Sequence, residues 1–327
     1  TERLYMMHLT IPSQMDIMGS GLYGFPAILI GMNEKFAWSH TVSTAYRFGI
    51  YELNMVGPTS YQYDGAVRNL TPITNTIKVK QANGSLTNQT RTLYMSHYGP
   101  MAGLKVSVQN VLPWTTNKAY AIRDANRENI RLVNQFFKWY TANSFTEFKN
   151  LHKSVLGVPW VNTVAIGNGD PAAYYGDVTV VPNVPDSLQN SPTCETTISA
   201  LKQVVPGLPI LNGSLSACEW RSDADAPADS KNVFGPRNLP ALSRRDFVSN
   251  MNDSYWLTNP AAPLTGFAKI IGAEGTARSL RTRKSLTMLA KRFDGSDGLG
   301  GPNKMSREQA KQLVLDSTVH STDLAHA

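Results

Sequence analysis

The first half of the chain contains the short apolar runs that are typical of β-strands. Residues 3–11, 27–31, 36–42, 47–54 and 118–123 are of this kind. Two further runs, 77–81 and 91–98, flank Asn83-Gly84, a dipeptide that favours a tight hairpin turn. The pattern therefore predicts a strand-rich first half that contains at least one β-hairpin.

The middle of the chain changes to the helical period. Ile130, Val133, Phe137 and Tyr140 fall on one face of a helix predicted over 126–140. Ser144 opens a second helix, because Ser144 with Glu147 has the spacing of a capping box.

Strands and then helices follow to the end of the chain. Residues 160–166 and 172–181 are predicted as strands around a turn, and 278–293 and 306–315 as helices. Strands in blocks followed by helices in blocks indicate the α+β class.

The 327 residues are predicted to form one domain, 1–327. Within it, residues 183–238 are rich in Pro, Ser, Asp and Asn and are expected to be an irregular surface excursion. The two cysteines, Cys194 and Cys218, lie in this stretch and suit one disulfide in an exported protein. Two unpaired buried thiols are the alternative.

The composition limits the possible partners. The chain is 42% hydrophobic without a long apolar run, so a globular protein with no membrane span is expected. The net charge is +7, but the basic residues are scattered apart from the cluster at 278–284. That cluster is interpreted as a solvated helix face, and no nucleic-acid partner is predicted.

Gly19–Gly24 spells G-x-G-x-x-G, the pattern of a dinucleotide-binding loop. That loop needs a helix after it, whereas Pro26 and a short buried strand follow here. No nucleotide and no other cofactor is therefore predicted.

Common hydrolase and zinc motifs are absent from the sequence. There is no C-x-x-C, H-E-x-x-H or G-x-S-x-G. His40 lies on a predicted strand beside Trp38. Two interpretations remain for it, a histidine of the core and a catalytic histidine.

Polar residues crowd together at Asn250–Ser254, between two apolar stretches. Strands disfavour asparagine, so a bend with directed hydrogen bonds is expected. The bend is either a structural turn or the source of an amide donor that faces an oxyanion.

Five stretches resemble, in this order, the β-chain of the penicillin acylase family of N-terminal-nucleophile hydrolases. They are MHLTIPSQMDIMGSGLYGFPAILIGMNEKFAWSHTV, AYAIRDAN, PWVNTVA, RRDFVSNMNDSYWLTNPAAPLTGF and RSLRTR. The likeness runs from Arg3 to Gly301 and is greatest to acylases of homoserine lactones and of aculeacin A.

The resemblance implies an αββα sandwich, incomplete in this chain, and an acyl-enzyme formed on an N-terminal serine. It places the oxyanion donors at the backbone N–H of Val42 and at Asn252, and an ordering arginine at Arg281. The matching acyl-pocket positions are Leu22, Phe25, Leu29, Thr41, Phe136, Trp160 and Val161. For the apolar members of this set, core packing is the alternative, and the glycines of 19–24 are expected to bend the chain around the acyl group.

The sequence departs from the family in two respects. The family's Ser-Asn nucleophile lies about thirty residues before the MHL strand, so Thr1 is not expected to replace it. Residues 43–47 contain no carboxylate where the family binds calcium, so no metal is predicted.

The expected protein is a periplasmic or secreted acylase whose separate α-chain is its partner. N-acyl-homoserine lactones are the first substrate expected, and acylated lipopeptides or β-lactams come next. A non-catalytic binding protein on the same scaffold is the rival from another class. These residues alone are expected to be inactive.

Overall fold

The computed structural model describes residues 3–107, 109–230, 232–302, 305–316 and 318–325. Thr1 lies outside these residues. The strands are β1 (Leu4–Ile11), β2 (Met15–Leu22), β3 (Ile30–Met32), β4 (Phe36–Val42), β5 (Phe48–Gly57), β6 (Ser60–Tyr63), β7 (Ala66–Asn69), β8 (Thr71–Lys80), β9 (Leu86–Met95), β10 (Met101–Ala102), β11 (Leu104–Val106), β12 (Gln109–Leu112), β13 (Lys118–Asp124), β14 (Val161–Gly167), β15 (Ala173–Gly176), β16 (Ile210–Asn212) and β17 (Ala241–Arg244). The helices are α1 (Arg131–Tyr140), α2 (Phe145–Val155), α3 (Asp186–Gln189), α4 (Leu280–Asp294), α5 (Arg307–Leu315) and α6 (His320–Ala325). The α+β class is therefore confirmed.

One large antiparallel sheet has the strand order β1-β2-β3-β4-β14-β15-β17. Helices α1 and α2 cover one of its faces, because alternate residues of β4 point toward them. Phe36 and Trp38 pack there against Phe136, Trp139 and Phe148, with ring centroids of Phe36 and Phe148 4.9 Å apart. An aromatic core therefore lies between the helices and the sheet.

A second sheet has the order β10-β13-β5-β6-β7, and β16 runs parallel beside β5. It packs on the first sheet, since Tyr51 and Leu53 of β5 share a buried cluster with Tyr175 of β15. Ile50 faces the other way, into a smaller cluster with Ile210. Strand β5 is buried on both faces, which explains its nearly continuous apolar sequence.

The segment 183–238 differs from the expected surface excursion. It is irregular, and most of its regular structure consists of short 3₁₀ helices, but it contributes Val184, Leu211, Trp220 and Phe234 to the core between the sheets. Proline and serine interrupt the regular pattern without preventing burial, because each apolar side chain packs individually. The correction is that this segment contributes to the core between the sheets and does not lie wholly on the surface.

Cys194 and Cys218 form a disulfide inside that segment, with Cα atoms 5.4 Å apart. Both are buried in the core between the sheets. The predicted pairing is therefore confirmed.

Helix ends largely follow the predicted signals. The Ser144 hydroxyl accepts from the Glu147 N–H and begins α2, although the Glu147 carboxylate accepts from the Asn143 N–H. Helix α1 begins at Arg131 rather than at 126, because the preceding asparagines form turns. The Asn129 side chain, for example, donates to the Gly157 carbonyl.

The glycines of the G-x-G-x-x-G stretch differ most from expectation. Gly19 and Gly21 lie within β2 rather than in a loop. A Cβ at Gly19 would lie 2.1 Å from the Ile30 carbonyl oxygen, and one at Gly21 would lie 2.4 Å from that of Ala27. Glycine is needed there because the returning chain passes very close to β2. Only the end of the predicted 27–31 strand is a strand, β3, which pairs with β2.

Strands β8 and β9 form the predicted hairpin around Asn83-Gly84, and Gly84 has φ +84°. Most of its side chains are exposed. Elsewhere the predicted 172–181 strand is shorter, since β15 ends at Gly176. In the described part of the chain, no helix has the length and apolar character needed to cross a bilayer.

Candidate functional site

The end of β4 presents the Val42 backbone at an open sheet edge. Val42 is opposite Val161 of β14, and the Ser43 N–H donates to the Trp160 carbonyl at 3.0 Å. This pattern makes Val42 and Val161 a non-hydrogen-bonded pair, in which both the N–H and the C=O of Val42 point away from β14. On that other side, the pairing with β3 ends at Trp38 in the described structure.

Asn252 reaches this open edge from the loop that precedes the 3₁₀ helix Tyr255–Leu257. Its Nδ2 donates to the Val42 carbonyl oxygen at 3.2 Å. An amide nitrogen carries two hydrogens, so a second donor remains beside the Val42 N–H. Two N–H groups from distant parts of the chain thus converge on one region.

Arg281 completes the arrangement from the first turn of α4. Its guanidinium donates to the Met251 carbonyl at 2.6 Å and to Asn252 Oδ1 at 2.8 Å. Because the oxygen of the Asn252 amide is held by Arg281, the nitrogen must face Val42. Val42, Asn252 and Arg281, predicted as a set, are therefore adjacent.

Helix α4 is itself tied to the loop. The Ser279 hydroxyl caps the helix by accepting from the Thr282 N–H. The Asp253 carboxylate accepts from the backbone N–H and the hydroxyl of Ser279, at 2.9 and 2.8 Å. The residue after Asn252 thus fixes the helix that supplies Arg281.

A buried ion pair lies directly behind the end of β4. The Ser43 hydroxyl donates to Asp177 Oδ2 at 2.7 Å, and Arg47 lies 3.5 Å from Asp177 Oδ1. Arg47 also donates to the Thr179 hydroxyl at 2.6 Å. The Arg47 guanidinium supplies the positive charge that the buried Asp177 carboxylate needs. Arg47 itself lies in 43–47, the stretch that contains no carboxylate of its own. Among the described residues no cluster of three or more His, Cys, Asp or Glu could hold a metal ion.

The sequence of this chain matches the profile of the penicillin amidase family over residues 1–326. The chain belongs to that family. Acyl-homoserine lactone acylase PvdQ of Pseudomonas fluorescens (strain Pf0-1) is 38% identical over 322 residues, which are 97% of this chain and 38% of the relative. Aculeacin-A acylase of Actinoplanes utahensis is 37% identical over 99% of this chain and 39% of its own length. The chain therefore spans less than half of these curated relatives.

A solved structure supports the same family at the level of the fold. The thermostable penicillin G acylase from Alcaligenes faecalis superposes with a TM-score of 0.60, covering 88% of this chain and 44% of that chain. Its sequence identity is 14%, so the likeness concerns the fold alone.

The predicted acyl-pocket positions with apolar side chains fall into two groups in this penicillin amidase chain. Phe136, Leu29 and Val161 belong to one apolar cluster under α1, and Phe136 makes an edge contact with the His40 ring at 6.0 Å. Trp160 is 47% exposed at the start of β14. These positions therefore adjoin the β4 edge that presents Val42.

Leu22 and Phe25 lie together at the end of β2, two strands away from β4 in the sheet. The Phe25 N–H donates to the Leu22 carbonyl at 2.9 Å, and the Tyr5 hydroxyl donates to the Phe25 carbonyl at 2.9 Å. Their roles in binding stay predictions.

Thr41 and His40 have internal partners. The Thr41 hydroxyl donates to Asn250 Oδ1 at 2.6 Å, so that a contact with substrate would use its methyl group or backbone. His40 Nδ1 donates to the Asn162 carbonyl at 3.0 Å. Burial lowers the pKa of His40 to about 4, which keeps the ring neutral at pH 7. These contacts favour the interpretation of His40 as a core histidine.

The sequence interpretation missed the supports beneath the site. Asn162 is fully buried on β14, and Asn250 anchors the loop. An asparagine within a strand was the available signal for Asn162, since strands disfavour it unless its amide has a partner. Asp177 and Arg47 carried no local signal, because their pairing spans 130 residues.

Proposed function

We propose that the complete protein is an amide hydrolase that removes the acyl chain from N-acyl compounds, N-acyl-homoserine lactones first among them. The observation that carries this proposal is the convergence of the Val42 N–H and the Asn252 amide at one open sheet edge. Two relatives named as acylases, 38% and 37% identical, support the same reaction class.

In the proposed reaction, an N-terminal serine supplied upstream of these residues attacks the amide carbonyl carbon. The serine α-amine takes the hydroxyl proton, and the carbonyl oxygen becomes an oxyanion. The Val42 N–H and Asn252 Nδ2 donate to that oxygen. The substrate's amine then takes the proton from the serine α-amine and leaves, which gives an acyl-enzyme. Water then attacks the acyl-enzyme, releases the carboxylic acid and restores the serine.

The acyl chain is proposed to lie along Phe136, Leu29, Val161 and Trp160, toward Leu22 and Phe25. The shared apolar cluster of Phe136, Leu29 and Val161 below α1 supports the first part of this path. We further propose that residues 1–327 are one domain of an αββα sandwich. The helices on one sheet and the second sheet behind it support three of those four layers.

A separate α-chain is the proposed partner, and the periplasm or the exterior is the proposed location. The disulfide between Cys194 and Cys218 suits an oxidising compartment. Lipopeptides and β-lactams with acyl side chains are the alternative substrates, a choice supported by the relative named aculeacin-A acylase and by membership of the penicillin amidase family. A non-catalytic binding protein is the rival from another class.

The test begins with the gene sequence upstream of Thr1. A Gly-Ser-Asn junction about thirty residues before Thr1 is expected for the enzyme, and another residue at the serine position supports the binding protein. The complete protein is then incubated with N-acyl-homoserine lactones, an acylated lipopeptide and an acylated β-lactam. Mass spectrometry should detect a free amine and a carboxylic acid from at least one of them. A variant with alanine at the upstream serine serves as the matched control and should release neither.

A further inference from the structure

Asn250 lies at the centre of the hydrogen bonds beneath the site. Its Oδ1 accepts from the Thr41 hydroxyl at 2.6 Å, from Asn162 Nδ2 at 3.2 Å and from the Asn252 backbone N–H at 2.9 Å. Its Nδ2 donates to the Asp253 carbonyl at 2.9 Å. One side chain thus joins the end of β4, the start of β14 and the loop that carries Asn252.

The loop needs this support because Asn252 has an unusual backbone conformation. Its φ is +67°, in the left-handed region that non-glycine residues rarely adopt. The bond from the Asn252 N–H to Asn250 Oδ1 closes a turn that fixes the backbone entering Asn252, and asparagine tolerates the left-handed conformation better than most residues. The same conformation directs the Asn252 side chain to Val42.

The orientation of the Asn250 amide is fixed from the core. Tyr175, fully buried between the sheets, donates its hydroxyl to Asn162 Oδ1 at 2.7 Å. Burial raises the pKa of Tyr175 well above its usual value, so the phenol keeps its proton. Because its oxygen accepts from Tyr175, Asn162 has its Nδ2 facing Asn250. An amide nitrogen only donates, so the Asn250 atom that faces it must be the acceptor Oδ1.

We propose that Asn250 is a positioning residue that holds the Asn252 amide beside Val42, and that Asn162 and Tyr175 fix Asn250 in turn. This inference rests on the proposed function, in which Asn252 and Val42 stabilise the oxyanion. Asn250 acts through Asn252, and all four of its bonds described above stay within the protein. Asn250 should therefore affect the stability of the transition state more than the binding of substrate, because the two donors are placed for the oxyanion and not for the ground-state carbonyl.

The test replaces Asn250 with alanine in the complete enzyme. A displacement of about 1 Å at a catalytic group can cost about 100-fold, so kcat should fall by about 10- to 100-fold. KM should stay within about threefold, because acyl-chain contacts are unchanged. An alkyl boronic acid, which mimics the tetrahedral oxyanion, should bind more weakly by a factor similar to the loss in kcat, whereas the product fatty acid should bind as before.

Two further variants separate positioning from folding. Asn250→Asp keeps the oxygen acceptor but loses the donor to the Asp253 carbonyl, so it should recover only part of the activity lost in Asn250→Ala. Tyr175→Phe removes only the distant hydroxyl, and kcat should fall by about three- to tenfold with little change in KM. Asn88→Ala, on the exposed face of the β8–β9 hairpin, is the matched control and should leave kcat and boronate affinity unchanged.

Rates are expressed per active site titrated with an acylating inhibitor, so that misfolded protein does not lower kcat. Turnover by the wild-type enzyme tests the proposed function, and only the ratio of variant to wild type tests this inference. The inference is overturned if Asn250→Ala keeps kcat within about threefold of wild type per titrated site. It is also overturned if kcat falls while boronate affinity stays at the wild-type value.

Discussion

The Asn252 amide donates to the carbonyl oxygen of Val42 at 3.2 Å, although 210 positions of sequence separate the two residues. In a strand the N–H and C=O of one residue point the same way, so a group bound to the Val42 oxygen also lies beside the Val42 N–H. Arg281 holds the other end of the same amide. The two donors, the Val42 N–H and the Asn252 amide, are therefore positioned jointly by the end of β4, the loop that carries Asn252 and the first turn of α4.

Replacing Asn252 with alanine in the complete enzyme should lower kcat by about 100- to 1000-fold, the usual cost of one oxyanion donor. The fold should survive, because the side chain is only partly buried and a single amide is removed. Steady-state kinetics and a melting curve test this. A fall of less than about threefold would mean that Asn252 has a structural role alone.

Arg281→Ala should lower kcat by about tenfold or more, because the Asn252 amide loses the donor that fixes its orientation. Arg281→Lys should restore only part of this loss, since one ammonium group cannot reproduce the guanidinium geometry. Arg283→Ala, an exposed cation two residues along the same helix, is the matched control. Equal rates for the two alanine variants would contradict a specific role for Arg281.

The elements that could be predicted from the sequence are those with a strong local period. β1, β4, β5, β13 and the β8–β9 hairpin lie where the apolar runs are, and α2 begins at the predicted Ser144. Local residues decide these elements, since alternation, turn dipeptides and caps act within a few positions.

The segment 183–238 could not be predicted in the same way. Its composition is that of a loop, yet Trp220 and Phe234 lie in the core beside the disulfide. Burial there depends on partners such as Tyr51 and Tyr175, which lie far away in sequence. Composition alone cannot report a tertiary contact.

The candidate site likewise contains residues that could be predicted from the sequence and residues that could not. Val42, Asn252 and Arg281 could be predicted from the family resemblance, and the Asn250–Ser254 bend from its polar residues. Asn162 and Asn250 remained unassigned as supports, because their bonds exist only after β4 and β14 have paired. The strand positions of Gly19 and Gly21 could not be predicted for a related reason, since the chain that passes close to them is formed by later residues.

The Cys194–Cys218 disulfide should stabilise the protein. The bridge closes a loop with a sequence separation of 24, which corresponds to roughly 3 kcal/mol in the chain-entropy account. Intact mass analysis under non-reducing conditions should show the loss of two hydrogens, and a reductant should lower the melting temperature. The double variant Cys194→Ala/Cys218→Ala should melt lower and show no response to reductant. Two free thiols in protein recovered from an oxidising compartment would contradict the assignment.

Stability should fall as the pH drops below about 6.5. Burial first, and then the nearby charge of His40, lower the pKa of His152 from 6.5 to about 3. Between these values the unfolded chain binds more protons than the folded one, so the free energy of unfolding decreases by up to about 1.4 kcal/mol per pH unit from this group. Melting curves between pH 4 and pH 8 test the prediction, with about one pH unit between samples.

His152→Gln serves as the comparison for that series, because glutamine keeps a polar side chain but does not titrate. The variant should show a shallower loss of melting temperature on acidification than the wild type. Parallel curves for the two proteins would mean that other groups, such as His40, govern the acid response.

Phe25 distinguishes an acyl pocket from plain core packing at the end of β2. If its ring limits the depth of the pocket, Phe25→Ala in the complete enzyme opens space for several methylene groups. Each newly buried CH₂ contributes roughly 0.8 kcal/mol, so the preferred substrate should shift to a longer acyl chain. Short chains should turn over more slowly, because they lose their contact with the ring.

Core packing alone predicts a different result for Phe25→Ala, namely a lower melting temperature with the same order of chain preference. Phe234→Ala is the matched control, since Phe234 is buried in the core between the sheets and should show that result. Measuring kcat/KM over a series of acyl lengths, together with melting curves, separates the two cases. If Phe25→Ala behaves as Phe234→Ala does, the ring packs the interior and the acyl chain must follow another path from Val42.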